Sequence, residues 1–477
     1  MQMWLTLSQP ASRIPAPVIP LTTTQTETVP METHGSAAVS RAFPRAGFQQ
    51  IKEYAGTFAA EFSVLACQIL VYKLAAKFLG TLGFSEYAVA RRTISLLQPV
   101  MMLGMAVGLP RYMAMAEGAG DDPRARQFFG AAAQCVGFAV AVAIVLLTIW
   151  RDWFAYLFFG HREYGYLVSP LALILAGLSA HALGYSYLRG RMAIAKANML
   201  NLVNLGIVPV LVFIFFHESA VDVLWALGAG WTGVALAALC FAPVASAVCD
   251  VRVESKELLT YGLQRVPGDF ALMGLLAFPA LVAAHSGGIE HAGYVAFGLS
   301  ITNMVAAIFA PVGIILLPKI SRNLGLRNFD EIRKEVKLIG WSTAGISLAV
   351  VAVAELLAEP VIRLYLGANF LSAMDPVRIV LLAAIPLALF YALRSAIDAF
   401  HRKAINTINL GVAFLFFIFL CGLSSLASGI RDAVLWSFVA STCLLAILTY
   451  FEIHKILRKG VELSLDIEDT PDRAEAF

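Results

Sequence analysis

The chain has 477 residues, of which 59% are hydrophobic and only 14% charged, with a net charge of +3. Soluble domains carry about 25% charged residues. This balance therefore excludes a water-soluble enzyme and points to an integral membrane protein with many spans. No nucleic-acid partner is expected. The six cysteines (Cys67, Cys135, Cys240, Cys249, Cys421 and Cys443) have no CxxC or CxxH spacing. They predict neither a disulfide framework nor a metal site, and read as small buried hydrophobes.

Residues 1–46 are rich in Pro, Thr, Ser and Ala without a periodic apolar pattern, which predicts a disordered segment. Met1–Leu7 lacks the basic start and apolar core of a signal peptide. Twelve apolar segments follow, at 56–79, 86–108, 128–150, 165–188, 199–216, 221–244, 268–286, 292–317, 337–358, 376–397, 405–424 and 432–454. Each is near the length of about 20 residues that crosses a bilayer as a helix. The predicted fold is an all-α polytopic membrane protein of about twelve transmembrane helices. The acidic end, 461–477, reads as a mobile tail.

The first hairpin is unusual. Gly56–Leu79 carries Glu61, Gln68, Lys73 and Lys77. After a predicted turn at Gly80–Ser85, the second span carries Arg91, Arg92 and Gln98. Pro99 is expected to bend that span, and Gly108–Tyr112 to form a turn. A charge at the bilayer centre costs at least about 2.5–3.5 kcal/mol on insertion scales, so such residues face a water-filled cavity or a partner.

Lys and Arg set the orientation. The N-terminal flank and every second loop hold clusters such as Arg111/Arg124/Arg126, Arg252/Lys256/Arg265 and Lys319/Arg322/Arg327/Arg333/Lys334/Lys337. The opposite loops are short and nearly free of Lys and Arg. The prediction is a multi-pass protein of the cytoplasmic (inner) membrane with an even span count and both termini cytoplasmic. Ser321–Lys337 is expected to form one amphipathic surface helix.

The chain also repeats itself. Leu188-Arg189, Asn201, Asn204, Leu205 and Gly206 recur 205 positions later as Leu393-Arg394, Asn406, Asn409, Leu410 and Gly411. A looser match pairs Gly83, Tyr87 and Leu109-Pro110 with Gly293, Tyr294 and Leu317-Pro318. Two parallel-repeat six-helix lobes follow, 47–250 and 251–460, around a central cavity. Such symmetry suits alternating access.

Arg91, Ser95, Gln98 and Met102 form one stripe on the second span. Arg91 lies roughly 9 Å below the outer end at 1.5 Å per residue. Either it faces an anion, since guanidinium forks match phosphate oxygens, or it snorkels to the surface. Arg92 projects about 100° round from it. Lys73 and Lys77 share a face of the first span, and Lys77 is within snorkelling reach of the surface. Glu61 reads as a cation site or an interfacial carboxylate. Asp269 reads as a cation site or as the cap of the seventh span. Asn303 is a potential cavity-lining residue. Arg394 and Asp398 are spaced to pair, and Arg189 and Arg394 read as inner-end anchors. His181 stands alone, without metal spacing. No phosphate-binding Gly-x-x-x-x-Gly-Lys-Ser/Thr loop occurs. Neither a cofactor nor catalytic residues are expected.

Leu74–Ala114, Tyr187–Asn204, Glu257–Ala271 and Leu316–Ser321 resemble the bacterial polysaccharide flippases of the multidrug/oligosaccharidyl-lipid/polysaccharide exporter superfamily. Phe84-Ser85 departs from that family's Phe-Gly. Gln264-Arg265-Val266-Pro267 departs too, where the family often has an earlier proline. The resemblance implies two lobes around a cavity lined by the first, second, seventh and eighth spans. It also implies flipping of a lipid-linked (diphosphate) oligosaccharide. The cavity residues are then Lys73, Arg91, Arg92, Gln98 and Asn303. Glu61 and Asp269 are the acids available for cation coupling. The expected partners are the lipid-linked oligosaccharide, membrane lipids and a polysaccharide polymerase machinery. A cation-coupled multidrug exporter of the same fold is the nearest rival. A membrane glycan polymerase or ligase would need a long outer loop, and none is present. A non-transporting scaffold is the remaining alternative.

Overall fold

A computed structural model describes the backbone of residues 36–240, 251–326, 328–400, 404–426 and 432–468, and the side chains of most of these between 56 and 458. Every element among the described residues is a helix. In chain order they are α1 (Ser36–Met102), α2 (Met105–Gly118), α3 (Asp122–Ile149), α4 (Arg151–Phe159), α5 (Gly165–Gly190), α6 (Ile194–Asn201), α7 (Val208–Phe215), α8 (Ala220–Cys240) and α9 (Arg252–Gly262). There follow α10 (Val266–Ala307), α11 (Ala310–Gly325), α12 (Phe329–Leu356), α13 (Ala358–Tyr365), α14 (Met374–Leu381), α15 (Ala384–Phe400), α16 (Ile405–Leu426) and α17 (Ala433–Glu468). Residues from Glu53 onward form one compact unit, to which every contact below belongs.

Nine helical stretches among the described residues are long and apolar enough to cross a bilayer, and a bent pair, Ala368–Leu381 with Ala384–Phe400, makes a tenth. Two of these ten contain a break, at Gly80 in α1 and Gly288 in α10, which divides the ten into twelve arms among the described residues. The first break is a reversal. The Tyr72 ring lies 6.1 Å from Phe84 and 6.2 Å from Tyr87. An unbroken helix would separate those residues by about 18 and 22 Å at 1.5 Å per residue. Gly80 has φ 65° and ψ −170°, and Gly288 has φ 78° and ψ 174°. That region is essentially restricted to glycine, so one residue makes the turn expected to occupy Gly80–Ser85.

The two glycines stand 208 positions apart, and two further pairs of features stand 207 apart. Left-handed Gly160 and Gly367 correspond, and so do the caps of α3 and α12. The Asp121 and Asn328 side chains accept from the backbone N–H groups of Arg124 and Glu331, at 3.0 and 3.3 Å. Each cap satisfies an orphan donor of its helix.

Several local expectations are corrected. The second arm of α1 runs past Pro99 and breaks at Leu103–Gly104, both with positive φ. Gly108–Tyr112 is helical within α2, whose internal Pro110 is accommodated; the reversal comes at Gly118–Asp121, through left-handed Gly120. Ser321–Lys337 is not one helix, because α11 ends at Gly325 and Asn328 caps a new one. Helix α1 begins at Ser36, inside the stretch expected to be disordered, where Ala37, Ala38 and Ala42 are good helix formers. Helix α17 continues to Glu468, inside the predicted tail. Residues 1–35, and Cys249, lie outside the described residues.

Candidate functional site

The two lobes meet where the second arm of α1 crosses the second arm of α10. Small residues set the closeness of the crossing. A Cβ on Gly293 would lie 2.2 Å from the Ser85 Cβ and Oγ. At this end Thr81 Oγ1 donates to Glu290 Oε1 at 3.1 Å. Ser85 Oγ reaches the carbonyls of Thr81, at 2.8 Å, and Glu290, at 3.3 Å. Phe84, fully buried, packs edge-on against Phe297 and Phe370. The crossing is on the side opposite the basic loops, where these contacts join the two arms.

Two turns deeper lies the polar centre. Arg92 is buried; its Nε donates to the Ala296 carbonyl at 3.3 Å and its Nη2 to Ser300 Oγ at 2.5 Å. The Ser300 hydroxyl donates its own proton to Ala296 O at 2.8 Å. It therefore accepts from both Arg92 and the Tyr72 hydroxyl, which is 2.6 Å away. Arg92 and Tyr72 of the first lobe thus hold one serine of the second. Arg91 turns the other way. It is half-buried, donates to the Tyr87 hydroxyl at 3.2 Å, and lies 5.9 Å over that ring.

The remaining predicted cavity residues surround this centre unevenly. Asn303 is one turn beyond Ser300 and accepts from the buried Tyr391 hydroxyl at 3.0 Å. Lys73 is exposed, with Nζ 5.9 Å from the Tyr365 ring centre. Tyr365 stacks on Phe297, and its hydroxyl donates to the Ile69 carbonyl across the lobes. Gln98 is half-buried and joins none of these contacts. From sequence, Tyr87 stands out only through the repeat, and Tyr365, Tyr391 and Ser300 do not stand out as site residues. Only the i, i+3 spacing of Ser300 and Asn303 was a signal for them.

Glu61 and Asp269 are elsewhere. Each sits in its own lobe, in a constellation that the repeat duplicates. Glu61 accepts from Asn201 Nδ2 at 3.1 Å, and Arg189 acts on its charge. Arg394 and Arg265 act on Asp269 in the same way. Arg189 lies 5.7 Å over Tyr185, and Arg394 lies 5.7 Å over Tyr391. The carboxylates stand 208 positions apart and the arginines and asparagines 205, whereas the tyrosines are out of register, four residues before Arg189 and three before Arg394.

The copies are not identical. In the second lobe Asn406 Nδ2 donates to Asp398 Oδ1 at 2.9 Å and to Arg394 O at 2.8 Å. Asp398 is therefore held by a different helix, and the expected pairing with Arg394 does not form. Asp269 does not cap α10: Arg265 occupies that position and Asp269 sits in the first turn. In the first lobe the chain passes through a π-helical turn, Leu202–Ile207, a distortion frequent at functional sites. Within it Asn204 is fully buried, and neither its Oδ1 nor its Nδ2 has a hydrogen-bond partner. His181 packs parallel to Tyr185 at 6.1 Å beside this turn. Among the described residues, no three His, Cys, Asp or Glu side chains gather as a metal site.

No protein-family pattern and no curated protein matches the sequence. Solved structures do match in fold. An inward-facing multidrug resistance MATE family transporter of the MOP superfamily overlays with a TM-score of 0.70 at 15% identity, covering 83% of this chain and 96% of that one. An outward-facing transporter of the same description gives 0.61 at 16%, covering 86% and 96%. The eukaryotic MATE transporter AtDTX14 gives 0.62 at 17%, covering 87% and 99%. At these identities the likeness is one of fold: helices in two lobes.

Proposed function

We propose that this protein is a transporter of the cytoplasmic membrane that flips a lipid-linked, diphosphate-bearing oligosaccharide for polysaccharide assembly. One observation carries the reading: the charges at the centre of the lobe interface are cationic. Arg92 bonds across the interface there, Arg91 lies beside it on the Tyr87 ring and Lys73 on the Tyr365 ring, while Glu61 and Asp269 join none of these contacts. Guanidinium groups match phosphate oxygens, and aromatic faces suit sugar rings and apolar tails. The lipid tail stays in the bilayer while the head passes between the lobes, 47–250 and 251–460, which rock about the crossing at Ser85 and Gly293. Both termini then lie on the cytoplasmic side, and a polysaccharide polymerase machinery is an expected partner.

A second reading rests on its own observation. The duplicated carboxylate sites, Glu61 with Asn201 and Asp269 with Arg394, supply oxygen ligands for a coupling cation, and the fold neighbours are named multidrug transporters. A cation-coupled exporter of cationic compounds uses those features. Thermal stabilisation separates the two. A lipid-diphosphate sugar should raise the melting temperature of the purified protein by several degrees and lose that effect in Arg91→Ala. Stabilisation by a cationic dye instead, abolished in Glu61→Gln, would establish the exporter.

A further inference from the structure

Helix α9 joins the two lobes on the basic side. It buries Glu254, Leu258 and Gly262 and exposes Arg252, Val253, Lys256 and Thr260. Two adjoining cavities, of about 870 and 760 Å³, open along its exposed face and share Arg252, Lys256 and Thr260. Ser255 lines the first, and Tyr261 and Gln264 line the second. Several basic residues on this side are paired with carboxylates: Arg124 with Glu257, Arg126 with Asp122, Arg191 with Glu117 and Asp122, and Lys319 with Glu335. Arg252 and Lys256 have no carboxylate at ion-pair distance among the described residues. Glu257, the one carboxylate lining the groove, is engaged by Arg124 at 3.3 Å.

We propose that this groove binds the phosphate headgroup of an anionic phospholipid from the adjacent leaflet, through Arg252 and Lys256 with Ser255 and Thr260 as hydroxyl donors. Arg252 and Lys256 are one turn apart and project to the same side, which places two cations on one phosphate. The flanking Val253 and Leu263 are 63% and 49% exposed and offer apolar surface to the acyl chains. The site is also mechanically placed. The end of α9 packs backbone to backbone on the break in the second span: a Cβ on Gly104 would lie 2.4 Å from the Gly262 carbonyl oxygen. A lipid held on α9 therefore braces the break below Arg91–Gln98. This inference stands apart from the transported substrate.

The test is native mass spectrometry of the whole protein with phosphatidylglycerol and with phosphatidylcholine of the same chains, in wild type and in Arg252→Gln/Lys256→Gln. Arg333→Gln/Lys334→Gln removes equal charge elsewhere on the same side as a control. Wild type and control should retain phosphatidylglycerol adducts over phosphatidylcholine, and the α9 variant should bind at least about tenfold more weakly. Should the double variant fold poorly, the single change at exposed Lys256 gives the same comparison. Equal loss in the control would reduce the effect to diffuse charge and overturn the proposal. Equal retention of both lipids would overturn it too. Displacement of the lipid by inorganic diphosphate in wild type but not in the variant would assign the groove to a soluble anion instead.

Discussion

The crossing at Gly293 yields the sharpest mechanical prediction. A Cβ there would lie 2.2 Å from the Ser85 Cβ and 2.3 Å from its Cα, whereas carbon atoms pack at about 3.5–4.0 Å. Gly293→Ala must therefore push the second arms of α1 and α10 apart by more than about 1 Å. The inter-lobe bonds around it, from Ser85 to Glu290 and from Tyr72 and Arg92 to Ser300, have donor–acceptor distances of 3.3, 2.6 and 2.5 Å and cannot all survive that. Losing the Tyr72 and Arg92 bonds costs about 2.5–4 kcal/mol, given about 1 for a neutral hydrogen bond and about 1.5–3 for a charged one. At 1.4 kcal/mol per tenfold, the population with the two arms in contact falls by about 60- to 700-fold. The assay is cross-linking of Thr81→Cys to Glu290→Cys by a short bifunctional thiol reagent, with the native cysteines replaced. Gly293→Ala should cross-link far more slowly. Ser85→Gly should rescue it only in part, because the Ser85 Cα remains in the way. Unchanged cross-linking in Gly293→Ala would refute the tight crossing.

Other outcomes follow from individual residues. Gly80→Ala forces a side chain into a glycine-only backbone region and should destabilise the protein by about 1–3 kcal/mol, read as a lower melting temperature in detergent. Arg92→Lys cannot reproduce the two divergent guanidinium bonds. It should weaken the Thr81–Glu290 cross-link while Arg91→Lys leaves it intact. Asn201→Ala removes the hydrogen bond to Glu61 and should cost about 1–3 kcal/mol in thermal unfolding, with Asn406→Ala giving the matching loss in the second lobe.

The architecture was legible because a bilayer imposes it. Long apolar runs and alternating loop charge gave the spans, and the Asn201/Asn406 register exposed the duplication. The reversal at Gly80 was placed to within a few residues, but the break at Leu103–Gly104 was not, because it arises from the close approach of Gly262. The site was legible only as a face. Arg91 and Arg92 are neighbours in sequence, and periodicity could not tell which would meet the other lobe. That depended on Ser300, which lies in a different helix. Asp398 was misread for the same reason, since its partner Asn406 comes from α16 rather than from one turn back. Tertiary partners decided these roles, and local spacing carries no record of them.

The central claim is an anionic lipid head passing between cationic lobes. Its most direct measurement is flipping of a labelled lipid-diphosphate sugar in proteoliposomes, wild type beside Arg91→Ala. The account predicts transbilayer movement in wild type that falls at least about tenfold in the variant. Absence of flipping in wild type, with cationic dye uptake driven by a proton or sodium gradient, would contradict it.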